Sequence, residues 1–144
     1  GRFIMALLQI IYTSRATVPL DKQALRKMVA DASRKNRVLG ITGMLYCAEE
    51  AYLQVLEGDE KTVLILYADI LRDDRHDHIH TVVIRPLETR DFANWSMGLL
   101  ETLTEPVDLA DVLNRGHDRV GVWNSARWPT IVNTFRAELE TVDP

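Results

Sequence analysis

The stretch Asn36–Gly58, NRVLGITGMLYCAEEAYLQVLEG, constrains the fold of this chain more than any other. It predicts a helix end, a turn, a strand over Ile41–Tyr46, a tight acidic connection at Ala48–Glu49–Glu50 and a return strand over Ala51–Leu56. Gly40 and Gly43 bracket Ile41 and Thr42, so backbone can approach closely there. Ile41–Tyr46 has the apolar, β-branched and aromatic make-up of a buried strand. Alternation along the return strand puts Tyr52, Gln54 and Leu56 on one face and Leu53 and Val55 on the other. Gln54 is then an amide among apolar neighbours, and burying such a group unpaired costs about 1–3 kcal/mol. Two readings stay open for it: it ties down backbone, or it faces a polar ligand.

The flanking sequence supplies the other layers. Leu7–Thr13 is a nearly continuous apolar run, a strand, with Tyr12 near its end. Asp21 is the expected N-cap of a helix whose buried stripe is Leu25, Met28, Val29 and Ala32, and which runs out at Ser33–Asn36. Arg34 and Lys35 near that end suit the helix macrodipole without any ligand. Asp59 caps a second helix with the stripe Val63, Leu66, Tyr67 and Ile70, followed by the charged tail Arg72–His76. Ile79–Leu87 and Trp95–Leu103 read as further strands; on the latter, Trp95, Met97 and Leu99 are expected to share one face. The order β-α-β-β-α-β-β predicts an α+β, ferredoxin-like sandwich with two helices on one face of an antiparallel sheet.

The remainder has helical character, with a short helix at Asp108–Leu113 ending near Gly116. Trp128, Ile131, Val132, Phe135 and Leu139 mark a last amphipathic helix, expected to dock on the open sheet face or on a partner. Trp123, Trp128 and Phe135 are many large rings for such a tail and point to an oligomer or partner contact. The expected division is 5–103 as the main domain and 104–144 as a helical extension of the same folding unit. Residues 1–4, ahead of Met5, read as a cloning remnant.

Composition narrows the function classes. The chain has 144 residues, 47% apolar and 26% charged, with a net charge of −4, which argues against a nucleic-acid partner. Cys47 is the sole cysteine, so no disulfide framework or thiolate zinc cluster is expected. No apolar run approaches a membrane span and no signal peptide is recognised, so the expected compartment is the cytoplasm. Neither a phosphate-cradling glycine loop nor a nucleophile–base pair is evident, which argues against an enzyme.

Two constellations remain. His76, His78 and His80 alternate in DRHDHIH; on a strand they would share a face able to hold zinc or copper, whereas across a helix end they are a solvated turn. Tyr12 and Gln54 fall on strands that can be neighbours in this fold. With the polar helix end at Asn36 they would make a site for a planar, hydrogen-bonding ligand. For Tyr12 the alternative is a core aromatic with a wet hydroxyl.

Taken together, YTSR (Tyr12–Arg15), Asn36 followed by GITGMLY (Gly40–Tyr46), LQVLEG (Leu53–Gly58), RDDRH (Arg72–His76) and FANWSMG (Phe92–Gly98) resemble the BLUF domain, the blue-light sensors using flavin. The resemblance covers about residues 5–103, and the tail is similar to the extensions of short members without an effector domain. It implies a flavin, FAD first with FMN or riboflavin as alternatives, held non-covalently between the two helices. It further implies that Tyr12 is the electron and proton donor and that Gln54 bridges the phenol and the flavin edge. Asn36 would hold the ring's carbonyl edge, with Ser14, Lys35, Asp73 and His76 completing the flavin-binding set. Trp95 and Met97 would report the state of Gln54. No metal is implied.

The chain departs from the family pattern in having Ala32 where a serine is frequent, Lys35 where a neutral polar residue or histidine is common, and Asp69 where a basic residue is frequent. Lys35 or Arg34 could reach a phosphate, which favours FMN or FAD. The expected output is a red-shifted state that alters contacts within a homo-oligomer or with a downstream signalling protein. The alternative function is a non-photochemical ligand- or metal-binding module using the His76/His78/His80 cluster.

Overall fold

A computed structural model describes residues 6–48, 50–101 and 128–142. The expectations for Asp108–Leu113, Gly116 and Trp123 lie outside the described residues. Among the described residues six strands and three helices follow one another as β1 (Leu7–Ala16), α1 (Lys22–Leu39), β2 (Thr42–Ala48), β3 (Ala51–Asp59), α2 (Glu60–Leu71), β4 (His76–Leu87), β5 (Gly98–Leu100), α3 (Trp128–Glu138) and β6 (Glu140–Thr141). They form one sheet of order β4-β1-β3-β2-β5-β6, in which β2 and β5 run parallel and the other pairs antiparallel. The order β4-β1-β3-β2 is the ferredoxin-like arrangement, extended past β2. Among the described residues no helix is long and apolar enough to cross a membrane.

Both capping expectations hold. The Asp21 carboxylate accepts from the Ala24 N–H at 2.7 Å, and the Asp59 carboxylate accepts from the Thr62 N–H. The first helix is longer than its basic run suggests: it passes through Ser33–Asn36 and stops at Leu39, where Gly40 takes a left-handed φ of 69° and returns its N–H to Arg37 O. Gly43 is needed for a different reason, because a Cβ there would sit 1.9 Å from the Val55 carbonyl oxygen. The glycine lets β2 close up on β3, the strand that carries Gln54.

Each sheet face has its own core. Ile10, Tyr12, Leu45, Tyr52 and Leu56 meet Leu25 and Val29 of α1 and Val63 and Tyr67 of α2. On the opposite face Ile11, Met44, Leu53 and Val55 meet Trp128, Val132 and Phe135 of α3. The last helix therefore docks on the open sheet face of its own chain. Trp128 and Phe135 are buried there, so the expectation that these rings form an outward contact is corrected.

Two strand expectations also need correction. The segment before Gly98 is a turn, closed by the Trp95 N–H bonding to Phe92 O at 3.1 Å, and β5 begins only at Gly98. Period-two alternation does not extend back through a turn, so Trp95 and Met97 do not share a face. Met97 and Leu99 belong to the core under α1 and α2, while Trp95 packs with the core under α3. The fourth strand starts earlier than expected, at His76, and its pairing with β1 shifts register between Ile11/Tyr12 and Thr13/Arg15.

Candidate functional site

Tyr12 and Gln54 are direct partners in the β1–β3 register, and the Tyr12 O–H donates to Gln54 Oε1. The antiparallel pairing of LLQIIYTSRA with AYLQVLEGD sets them opposite one another, and the pleat aims both at the face covered by α1 and α2. Gln54 Nε2 points to the Met97 sulfur, a weak acceptor, at 3.4 Å. Tyr12 is 4% exposed. Its burial, with Tyr67 and Asp73 adding to the effect, holds the phenol well above the usual tyrosine range, so Tyr12 remains protonated. The Tyr67 ring lies 5.3 Å from the Tyr12 ring, and the Tyr67 hydroxyl bonds to Thr81. Sequence reasoning placed Tyr67 in a helix stripe and had no signal for this proximity.

Asn36 stands in the last turns of α1, 3% exposed, and donates through Nδ2 to the Ser96 carbonyl at 2.9 Å. Its Oδ1 accepts nothing from any described residue. Ser33, one turn earlier and also buried, bonds to the Ser96 hydroxyl at 2.5 Å. This serine pair was not foreseen.

Ser14 shares the Tyr12 face of β1 and is bonded to His76 Nδ1 at 2.9 Å; the other imidazole nitrogen reaches Ile70 O, at the C-terminal end of α2, at 2.8 Å. Asp73 receives the Arg75 guanidinium, which lowers its pKa to about 2. Lys35 is exposed on α1, and Arg34 is paired with Asp31.

The structure brings Tyr12, Gln54 and Met97 into one contact chain and ties Asn36 to the segment that carries Met97. It does not assemble the three histidines. His78 has a left-handed φ of 53°, which breaks the alternation, and its ring turns to Asp77. Among the described residues no group of three His, Cys, Asp or Glu could hold a metal.

A flavin offers along one edge two carbonyl acceptors, an N–H between them and a ring nitrogen. The residues present fit that edge. Among the described residues the buried Asn36 amide oxygen has no partner, and the Gln54 side-chain N–H has only a thioether as acceptor. Both are groups that a hydrogen-bonding ligand would satisfy. Met28 and Ala32 of α1 and Leu66 and Ile70 of α2 are half-buried on the same core and offer apolar surface for a ring.

Comparison with known proteins points to the same kind of ligand. The family model described as BLUF, sensors of blue light using FAD, matches residues 7–98. Over 112 residues the chain is 33% identical to the photoactivated adenylate cyclase subunit beta of Euglena longa, covering 76% of this chain and 13% of that protein. Over 113 residues it is 29% identical to the blue light- and temperature-regulated antirepressor BluF of Escherichia coli (strain K12), covering 78% of this chain and 28% of that protein. The chain thus spans a small part of these curated relatives. The solved dark-state structure of BlrB, a BLUF protein, is 26% identical with a TM-score of 0.69, covering 94% of this chain and 98% of that one. The ground state of BlsA is 25% identical with a TM-score of 0.72, covering 94% and 92%.

Proposed function

The chain belongs to the BLUF family of blue-light sensors using FAD, and on that premise we propose that the Tyr12–Gln54 hydrogen bond is its light switch. The protein is a blue-light photoreceptor that binds a flavin. The observation that carries the proposal is the buried phenol donating to an amide whose other end meets the Met97 sulfur.

In this reading Asn36 and Gln54 hold the polar edge of the ring. Ser14, His76 and Asp73 stand at the C-terminal end of α2. Lys35, in line with Met28 and Ala32 along α1, takes the phosphate of FMN or FAD. When bound, the flavin supplies the colour and an excited state able to oxidise a nearby phenol. With flavin bound, Tyr12 would be the group able to supply it an electron, and Gln54 Oε1, which accepts the phenolic O–H, would be the first station for the proton. The amide could then present its other end by rotation or tautomerism, with Tyr12 restored as the neutral phenol. Nothing is consumed; what persists is which Gln54 atom donates toward the ring, and with it a red-shifted absorption.

Met97 senses the exchange because its sulfur faces the Gln54 Nε2–H. Trp95, two residues earlier, packs on the α3 side, where Gly98 sits against both Trp95 and Leu139. The segment Trp95–Met97 is the proposed exit for the signal from residues 5–103 to the helical extension 104–144. Output is by contact, within a homo-oligomer or with a downstream protein, through the outer face of α3. The reading is of a receptor module: the cyclase name belongs to a protein of which this chain spans 13%. The test is the light-minus-dark flavin absorption of the loaded protein with Gln54 and Tyr12 replaced in turn.

A further inference from the structure

We propose that a cleft on the β5 flank of α1 binds a small anionic ligand, a carboxylate or phosphate on a flat apolar body, and that its occupancy is coupled to Gln54 through Ser96 and Met97.

The cleft has a volume of about 560 Å³, within the range of about 300–1,000 Å³ typical of small-molecule sites. Arg37, Arg90, Trp95 and Asn94 are among its walls; among the described residues none from α2 and no Asp or Glu lines it. It is therefore separate from the surface offered to the flavin, and it is cationic in a chain whose net charge is −4.

Its two arginines have no carboxylate partner among the described residues. Arg15, Arg26, Arg34, Arg75 and Arg85 each meet an Asp or Glu. Arg90 instead donates from Nη1 alone to Gly40 O at 2.8 Å, Thr42 Oγ1 at 3.0 Å and Glu57 O at 3.4 Å. All three acceptors are neutral, and they fix the guanidinium while leaving Nε and Nη2 without a partner among the described residues. The Arg37 side chain makes no ion pair or hydrogen bond with any described residue. Capping the end of α1 accounts for one nitrogen of Arg90, and the macrodipole accounts for no contact of Arg37. Two guanidiniums, one held in place, suit an oxyanion. Trp95, Ile41 and Met97 give the lining apolar character, and Ser33 and Asn94 add polar groups.

The coupling rests on the switch reading; the site does not. Met97 lines the cleft and also faces Gln54. Ser96, another wall, bonds through its hydroxyl to Ser33 and through its carbonyl to Asn36. An occupant that moves Trp95–Met97 changes the Gln54 environment, and by linkage a changed Gln54 alters the occupant's affinity.

The test uses the flavin-loaded full chain in the dark, titrated with phenyl phosphate, benzoate and hexaglutamate while the Trp95 indole N–H and Ser96 amide are followed by NMR. The expected result is saturable shifts with phenyl phosphate and benzoate. Affinity should be about tenfold lower in Arg37→Glu, as loss of a charge-assisted contact requires. Arg90 also holds the end of α1, so Arg37→Glu, at an exposed position and with flavin absorption unchanged, is the deciding variant. No saturable shift with either small anion, or equal affinity in Arg37→Glu, overturns the site. Tighter binding of hexaglutamate overturns the small-ligand reading in favour of an acidic segment of a partner. Affinity should differ about fivefold or more between dark and continuous blue light; equal affinities overturn the coupling. A protein that binds the anions but never red-shifts contradicts the switch and with it the coupling, while the dark titration still decides the site.

Discussion

The Met97 sulfur lies 3.4 Å from Gln54 Nε2, so the amide that bonds to Tyr12 at one end touches the β5 entry at the other. Met97 follows Trp95 by two residues, yet the two belong to opposite cores. A short backbone segment therefore joins the buried phenol–amide pair to the face on which α3 docks.

Met97→Ala follows from that contact. Flavin binding and the spectral change should remain largely intact, because neither Tyr12 nor Gln54 is altered. The light-dependent change in the tail should shrink. Hydrogen exchange over 128–142 in dark and light is the measurement, and a response equal to the parent's puts the exit elsewhere.

Lys35→Ala tests the phosphate role. Lys35 is exposed, and an exposed charge contact is worth about 0.2–1 kcal/mol. FMN and FAD should bind up to about fivefold more weakly and riboflavin as in the parent. Equal affinities of parent and variant for all three flavins remove the role.

Much of this site was legible in the sequence because it sits where local rules are strict. Asp21 and Asp59 precede apolar helical stripes, and alternation from Ala51 fixes the face of Gln54 before any partner strand is known. Trp95 was misplaced for the same reason inverted: the rule was extended through a turn, where it has no force. The length of α1 was misread because Ser33–Asn36 looks like a polar terminus, whereas Ser33 and Asn36 are buried against Ser96. The serine pair and the Gln9–Glu57 pair depend on contacts between residues 48 or more positions apart. No single-sequence pattern encodes such partners.

Asp91→Ala tests how α3 is held. The Asp91 carboxylate accepts from Gln9 Nε2 and from Trp128 Nε1, each at 2.8 Å, and meets Arg85 at 3.3 Å; its carbonyl accepts from Arg136. Removing the carboxylate takes an acceptor from the buried Gln9 and Trp128 side chains, a loss of about 1–3 kcal/mol. Denaturant unfolding should register that loss, and exchange should rise in α3 while the dark flavin spectrum is unchanged. An unaltered α3 would show that apolar packing alone holds it.

Glu57→Gln tests a buried carboxylate on the α3 face. Burial raises the Glu57 pKa above its ordinary 4.5, against hydrogen bonds from the Phe92 and Asp91 N–H groups and Gln9 that lower it. With the folded value the higher one, the folded state binds the extra proton. Stability from this group is greatest below pH 4.5 and falls as pH rises through the raised value. The variant incurs a loss at every pH, since an amide nitrogen would face N–H donors, but lacks this slope. The difference in Tm between parent and variant should narrow from pH 4.5 upward. A constant difference would show that Glu57 does not titrate in that range.

The most direct measurement is the blue-light difference spectrum of Gln54→Leu beside Tyr12→Phe. One amide contributes only about 1 kcal/mol net to binding, so Gln54→Leu should purify yellow and absorb near the parent's dark wavelength. Leucine has similar bulk but can neither donate nor accept, so blue light should produce no lasting red shift. Tyr12→Phe should likewise stay yellow and lose the normal reaction, because its phenol is gone. A Gln54→Leu protein that red-shifts and recovers like the parent would contradict the account and place the switch at another group.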